Sequence, residues 1–218
     1  MTAECHTPAE QRPAEQQPAE QRPPANRVHD DTVLDAARDC VLALGVRRTT
    51  LSEVARRAGV SRMTLYRRFP DVNSLLAALM TREFGALLGQ VAHGVNGSGH
   101  TRRRLVECVV EGVRLLSASP LLRSVLEVDP QLLIPYVFER LGSTQRIAEQ
   151  FLHDQVLAGH ADGSIRRGET SAQVRVLLLT AQTVVLSLRP ATSDIDEHAL
   201  FAELAHLLDA ALTPEVTS

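Results

Sequence analysis

The sequence predicts an all-α protein, and three observations predict it. Apolar residues recur at helical spacing through most of the 218 residues, and no stretch alternates as a half-buried strand does. The apolar mass is almost all Leu, Val and Ala, with aromatics only 3% of the chain, which suits helix packing better than a sheet core. The length allows one large domain or two modest ones, and 44% hydrophobic residues are enough to build a core. Three scattered cysteines (Cys5, Cys40, Cys108) exclude a disulfide scaffold and a zinc ribbon.

Residues 1–26 stand apart. Pro8-Ala9-Glu10-Gln11-Arg12 is followed by one near-copy, one exact copy and then Pro23-Pro24. A five-residue repeat with a proline in every period has almost nothing to bury, so 1–26 reads as a disordered low-complexity tail. From Asp30, Val33, Leu34, Ala37, Cys40, Val41 and Leu44 form one face of an amphipathic helix that stops at Gly45. Cys40 on that face reads as a small buried residue. Thr50-Leu51-Ser52-Glu53 is a capping box opening a short helix with Leu51, Val54, Ala55 and Ala58 inward. Gly59 ends it. Ser61 caps the next helix, with Val60 and Leu65 at the hydrophobic-staple positions, and that helix runs from Arg62 to Phe69 before Pro70. Two short helices joined by a tight turn containing Gly make a helix-turn-helix, so 27–70 reads as a three-helix DNA-binding domain.

The remainder, 71–218, reads as a larger α-helical domain. Asp71 caps a long helix with Leu75, Leu76, Leu79, Met80, Leu87, Leu88 and Val91 inward, ending near Asn96-Gly97-Ser98-Gly99. Helical blocks follow over about 101–118, 143–158, 171–188 and 196–212, with a stretch between the first two broken by Pro120, Pro130 and Pro135. The apolar run from Val176 to Leu188 lies between Arg175 and Arg189, which leaves it short of the roughly 20 residues of a membrane span. There is no signal-peptide pattern, and a cytoplasmic protein without a membrane partner is expected.

Charge is distributed unevenly. Every basic residue is Arg, and residues 27–82 hold ten against six acids, whereas 83–218 hold eleven against sixteen. From Arg47 to Arg68 there are seven Arg and the single acid Glu53. A basic block within an acidic chain is the electrostatic footprint of a nucleic-acid site. With Leu65 and Phe69 inward, a rotation of about 100° per residue places Met63 and Arg67 opposite the core. Thr64 and Tyr66 flank them, and Arg62 and Arg68 sit near the core edge. An apolar tip, a hydroxyl, a phenol and a guanidinium suit a thymine methyl, base edges and phosphates in a major groove. Ser61 and Thr64 near the helix start offer hydroxyls and N–H groups to phosphate.

The string Thr49-Thr50-Leu51-Ser52-Glu53-Val54-Ala55-Arg56-Arg57-Ala58-Gly59-Val60-Ser61-Arg62-Met63-Thr64-Leu65-Tyr66-Arg67-Arg68-Phe69 strongly resembles the DNA-binding segment of the tetracycline-repressor (TetR) family, over about residues 28–82. The resemblance implies phosphate contacts from Thr50, Ser52 and Tyr66, and base contacts from Arg62, Met63, Thr64 and Arg67. Arg48, Ser61 and Arg68 complete the expected DNA-binding set. Two positions depart from the family pattern. Val72 replaces a lysine next to the DNA backbone, and Met63 replaces a frequent glycine. Beyond this segment the resemblance extends only to helical architecture, with Gly159 to Arg166 echoing the turn before the family's dimerisation helices.

The expected function is a DNA-binding transcriptional regulator, a repressor released from a palindromic operator in double-stranded DNA by a small apolar or amphipathic effector. The alternative is a constitutive helix-turn-helix DNA-binding protein without an effector. Expected liners of an effector pocket are Val109, Val113, Leu116, Leu126, Tyr136, Phe138 and Phe151, with Gln182 as a polar anchor. A homodimer is expected, because one short helix reads too few base pairs. Its interface is assigned to the helix from Ala172 to Leu188, apolar nearly all round, and to Leu200, Phe201, Leu204, Leu207, Leu208 and Leu212 of the last helix. Catalysis, metal binding and cofactors are not expected. Gly94 to Gly99 has the wrong glycine order for a phosphate loop and lacks Lys, no nucleophile elbow occurs, the eight His are dispersed, and His153-Asp154 stands alone. Cys108 reads as core or cavity lining.

Overall fold

A computed structural model of the chain describes residues 25–94 and 99–215. The expected tail, apart from its last two residues, and most of the Asn96–Gly99 loop lie outside the described residues. No strand occurs among those described.

The N-terminal part is α1 (Ala25–Leu44), a 3-10 turn (Val46–Arg48), α2 (Leu51–Ala58), α3 (Arg62–Arg68) and α4 (Val72–Gly94). Helix α1 begins earlier than the apolar pattern does. Gly45 ends it at φ 83°, a conformation that costs a residue with a Cβ. Thr50 Oγ1 accepts the Glu53 N–H at 3.2 Å, but Glu53 turns its carboxylate to Arg56 instead of closing the capping box. Gly59, at φ 68°, ends α2 in a Schellman turn: its N–H donates to Arg56 and the Val60 N–H donates to Ala55. Asp71 Oδ1 accepts the Ser74 N–H at 2.7 Å and starts α4.

The C-terminal part is α5 (Thr101–Ala118), α6 (Pro120–Val128), a 3-10 turn (Pro130–Leu133), α7 (Ile134–Phe138), α8 (Ser143–Ala161), α9 (Thr170–Ala191) and α10 (Glu197–Leu212). The stretch is broken into short pieces at the three prolines as expected, and the prolines stand at the starts of those pieces. Pro120 and Pro135 occupy first-turn positions, where the missing N–H has no partner to lose. Pro190 lies inside α9 near its end, so α9 runs 22 residues and exceeds its apolar segment.

Two apolar clusters hold the chain together. One gathers α1, α2, α3 and the first half of α4, and it also takes Leu121, Leu122 and Val125 of α6. The other joins α5, α8, α9 and α10. Helix α4 touches α1, α5 and α8 and so spans from one cluster to the other. By length and composition α4 and α9 could cross a membrane, yet here α4 packs as just described and α9 packs against α5 and α8. On α10 the expected interface corrects. Phe201, Leu204, Leu208 and Leu212 are buried within the chain itself, because this face closes the second cluster against α5. Leu207 alone of the large ones stays well exposed, with Leu200 half-buried.

The Gly159–Arg166 turn is fastened from several sides. Asp162 Oδ2 accepts the Thr101 hydroxyl at 2.6 Å and the Thr101 N–H at 3.2 Å, capping α5 from 61 residues away. Its Oδ1 accepts the Ser164 N–H at 2.9 Å. These bonds from Ser164 and Thr101 hold the Asp162 carboxyl far below the usual aspartate range. A depressed carboxyl stabilises the fold above its unfolded pKa, and the benefit fades as pH falls toward the folded value. Asp162→Ala is therefore expected to lower Tm at neutral pH, and the deficit is expected to shrink below about pH 4. Thermal melts of both proteins at several pH values check this; a deficit that is constant down to strongly acid pH would contradict it.

Candidate nucleic-acid interface and internal cavity

Helix α3 is held by one face. Leu65 and Phe69 are buried in the first cluster, and Ser61 caps the helix by accepting the Thr64 N–H at 3.1 Å. The opposite face is open: Met63 is 79% exposed and Tyr66 49%. Arg62 and Arg67 are exposed on the same helix, and Ser61, Thr50 and Arg48 are exposed at the starts of α3 and α2 and on the preceding turn. Thr64 is half-buried, with its hydroxyl 2.8 Å from that of Ser61, and Ser52 is half-buried in the first turn of α2. Arg48, Arg62 and Arg67 form no ion pair among the described residues, so their guanidiniums are available to an anion. Arg68 differs from them, because its guanidinium is paired with Asp30 of α1 and tethers α3 to the first helix. Val72, where the family pattern places a lysine, packs against the first cluster. It is half-buried there and offers no cation to a DNA backbone.

A cavity of about 1100 Å³ opens between α4, α5, α7, α8 and α9. Of the expected liners, Val109, Val113, Leu116, Tyr136, Phe151 and Gln182 line it. Leu126 and Phe138 do not, and both expectations are corrected. Leu126 packs against the first cluster, because α6 turns toward α1. Phe138, at the end of the short α7, is 80% exposed. The sequence reading missed the contribution of α4 (Met80, Phe84, Leu88) and of the turn from Arg140 to Arg146. The signal was present for α4, whose apolar residues exceed what one buried stripe needs. Gln145 organises the turn. Its Oε1 accepts the Gly142 N–H at 2.6 Å, and its amide donates to the Tyr136 carbonyl at 2.9 Å and to Gln182 Oε1. Cys108 lines the cavity, and burial pushes its thiol up, keeping it protonated and inert. No group of three potential metal ligands occurs among the described residues.

A polar node joins α4 to α1. Arg82 of α4 lines the cavity and pairs with Glu83 at 2.7 Å and with Asp35 of α1 at 2.8 Å, while donating to the Asp31 carbonyl at 3.1 Å. Arg38 of α1 pairs back to Glu83 at 3.2 Å.

A three-helix unit that buries one side of its last short helix and leaves the other side to arginines, a phenol and hydroxyls is a helix-turn-helix DNA-binding unit. Residues 33–79 match the family model described as bacterial regulatory proteins of the tetR family. The HTH-type transcriptional regulator Mb2274c of Mycobacterium bovis is 37% identical over 180 residues, covering 83% of this chain and 92% of that protein. The chain belongs to the tetR family and is a transcriptional regulator. Among solved structures, the repressor QsdR of R. erythropolis superposes with a TM-score of 0.64 at 19% identity, covering 89% of this chain and 100% of QsdR. FadR of Bacillus subtilis, solved in complex with stearoyl-CoA, gives 0.60 at 17% identity, covering 84% and 98%. At these identities the likeness is one of fold.

Proposed function

We propose that this regulator is a homodimeric repressor that an apolar or amphipathic small molecule releases from a palindromic operator. The observation that carries the reading is the cavity of about 1100 Å³, walled in part by the same helix α4 that packs on α1 of the DNA-binding unit. Arg62, Met63, Thr64 and Arg67 read base edges, and Arg48, Thr50, Ser52, Ser61 and Tyr66 hold phosphates. Arg68 contributes by positioning α3 through Asp30. The FadR complex supports the reading in one respect, since that protein's fold accommodates a long acyl ligand.

Release follows from geometry. A ligand wedged between α4, α5 and α8 changes how α4 lies, and α4 carries the Arg82 node that fixes α1. Both recognition helices of a dimer must sit about one turn of DNA apart, so a small displacement of each α4 misfits the pair. A hundredfold release needs about 2.7 kcal/mol of differential affinity between the two spacings. Gel shifts on the DNA flanking its own coding region, with and without compounds that raise Tm, test the reading. Stabilising compounds are expected to lower operator affinity; if none does, the protein is a constitutive DNA binder.

A further inference from the structure

The cavity wall has an unusual charge. Residues 83–218 carry more acids than arginines, yet no Asp or Glu lines the cavity while Arg82, Arg140 and Arg146 do. Arg82 is already satisfied by Asp35 and Glu83. Arg140 and Arg146 are not: neither forms an ion pair among the described residues. Arg140 lies over the Tyr136 ring, 5.6 Å from its centroid. Ser143 and Thr144, which begin the 19-residue α8, line the same end, and the first turn of α8 holds no acid. Much of the remaining lining is aliphatic and aromatic, with Leu88, Val109, Val113, Phe151, Leu178 and Val185.

We propose that the cavity selects a single-chain amphipath with an anionic head, the chain between α4, α5, α8 and α9 and the head at Arg140 and Arg146. The proposal rests on the effector reading above and adds the chemistry of the effector. Two guanidiniums beside a low-dielectric channel give a carboxylate or phosphate charge-assisted, bidentate hydrogen bonds. A cationic head meets like charge, and a hydroxyl head accepts a single hydrogen bond without an opposite charge or a second acceptor atom. The anion has two sources, a free carboxylate or the phosphates of an acyl thioester of coenzyme A, and the test separates them.

Calorimetric titration compares dodecanoate, dodecanoyl-CoA, dodecanol and dodecyltrimethylammonium, each below its micellar concentration, against the full chain and against an Arg140→Ala/Arg146→Ala variant. Both arginines are exposed, so the variant keeps its core. At least one anionic probe is expected to bind about tenfold or more tighter than dodecanol, with the cation weakest. The tighter of the two anions identifies the source. The variant is expected to bind dodecanol unchanged while the anion preference collapses. Equal affinity for dodecanol and both anions, a preference that survives in the variant, or no binding of any probe overturns the assignment. Gel shifts keep the two readings apart. Preferred anions that leave operator affinity untouched sink ligand-released repression alone, whereas dodecanol releasing DNA as well as the anions do sinks the headgroup assignment alone.

Discussion

Arg67→Ala is expected to weaken operator binding by about thirtyfold or more and to relax base preference at one position of each half-site. The guanidinium is exposed and unpaired among the described residues, on the face of α3 opposite Leu65. A bidentate arginine–guanine contact gives roughly 1–3 kcal/mol of discrimination, and a dimer loses it twice. Tyr66→Phe, by contrast, removes one phenolic hydroxyl from the flank of the same helix. It is expected to weaken all sequences about equally, as loss of a phosphate contact does. Stability is expected to change little in either protein, because neither side chain packs in the core. Binding to a panel of operator variants at two salt concentrations separates the roles. If both substitutions shift base preference alike, the facing assigned to α3 is wrong.

Val176→Glu and Leu207→Glu are expected to give folded monomers that bind the operator a hundred to ten thousand times more weakly, the range that joining two binding modules supplies. Val176 is 63% exposed and Leu207 58%, so a second copy that covers them gains apolar burial without disturbing either internal cluster. Leu179 on α9 is exposed beside Val176, one turn along, and completes an apolar stripe. The neighbouring Leu208→Glu provides the contrast. Leu208 is only 3% exposed and lies inside the second cluster, so its substitution is expected to unfold the chain. Sedimentation shows the oligomeric state, and circular dichroism shows whether the monomer is folded. A dimeric Val176→Glu protein with full operator affinity would place the interface elsewhere.

Much of the DNA-binding unit was legible in the sequence because its signals are local. Thr50 and Ser61 as caps, Gly59 as the left-handed stop and Leu65 and Phe69 as the buried pair all act within one or two turns. The facing of α3 then followed from helical geometry alone. The cavity was legible only in part. Val109, Val113 and Phe151 carry an apolar signal, but the same signal marks Leu126, which the fold spends elsewhere, and Phe138, which it leaves in solvent. Whether an apolar side chain fills a core, lines a void or faces a partner depends on which helix comes to rest against it.

The sequence by itself determined the all-helical class, the helix-turn-helix and the outward face of its second helix, since each depends on residues within a few positions of one another. Tertiary structure decided everything that joins distant positions. It paired Arg68 with Asp30 and Arg82 with Asp35, and it set Asp162 as the cap of a helix that begins 61 residues earlier. It turned the main apolar face of α10 inward and left Leu207 and Val176 outside. It also brought Arg140 and Arg146 to an apolar cavity that no acid lines. Apolar periodicity records that a face is to be buried, but burial is non-directional, and only the packing of the helices fixes what covers it.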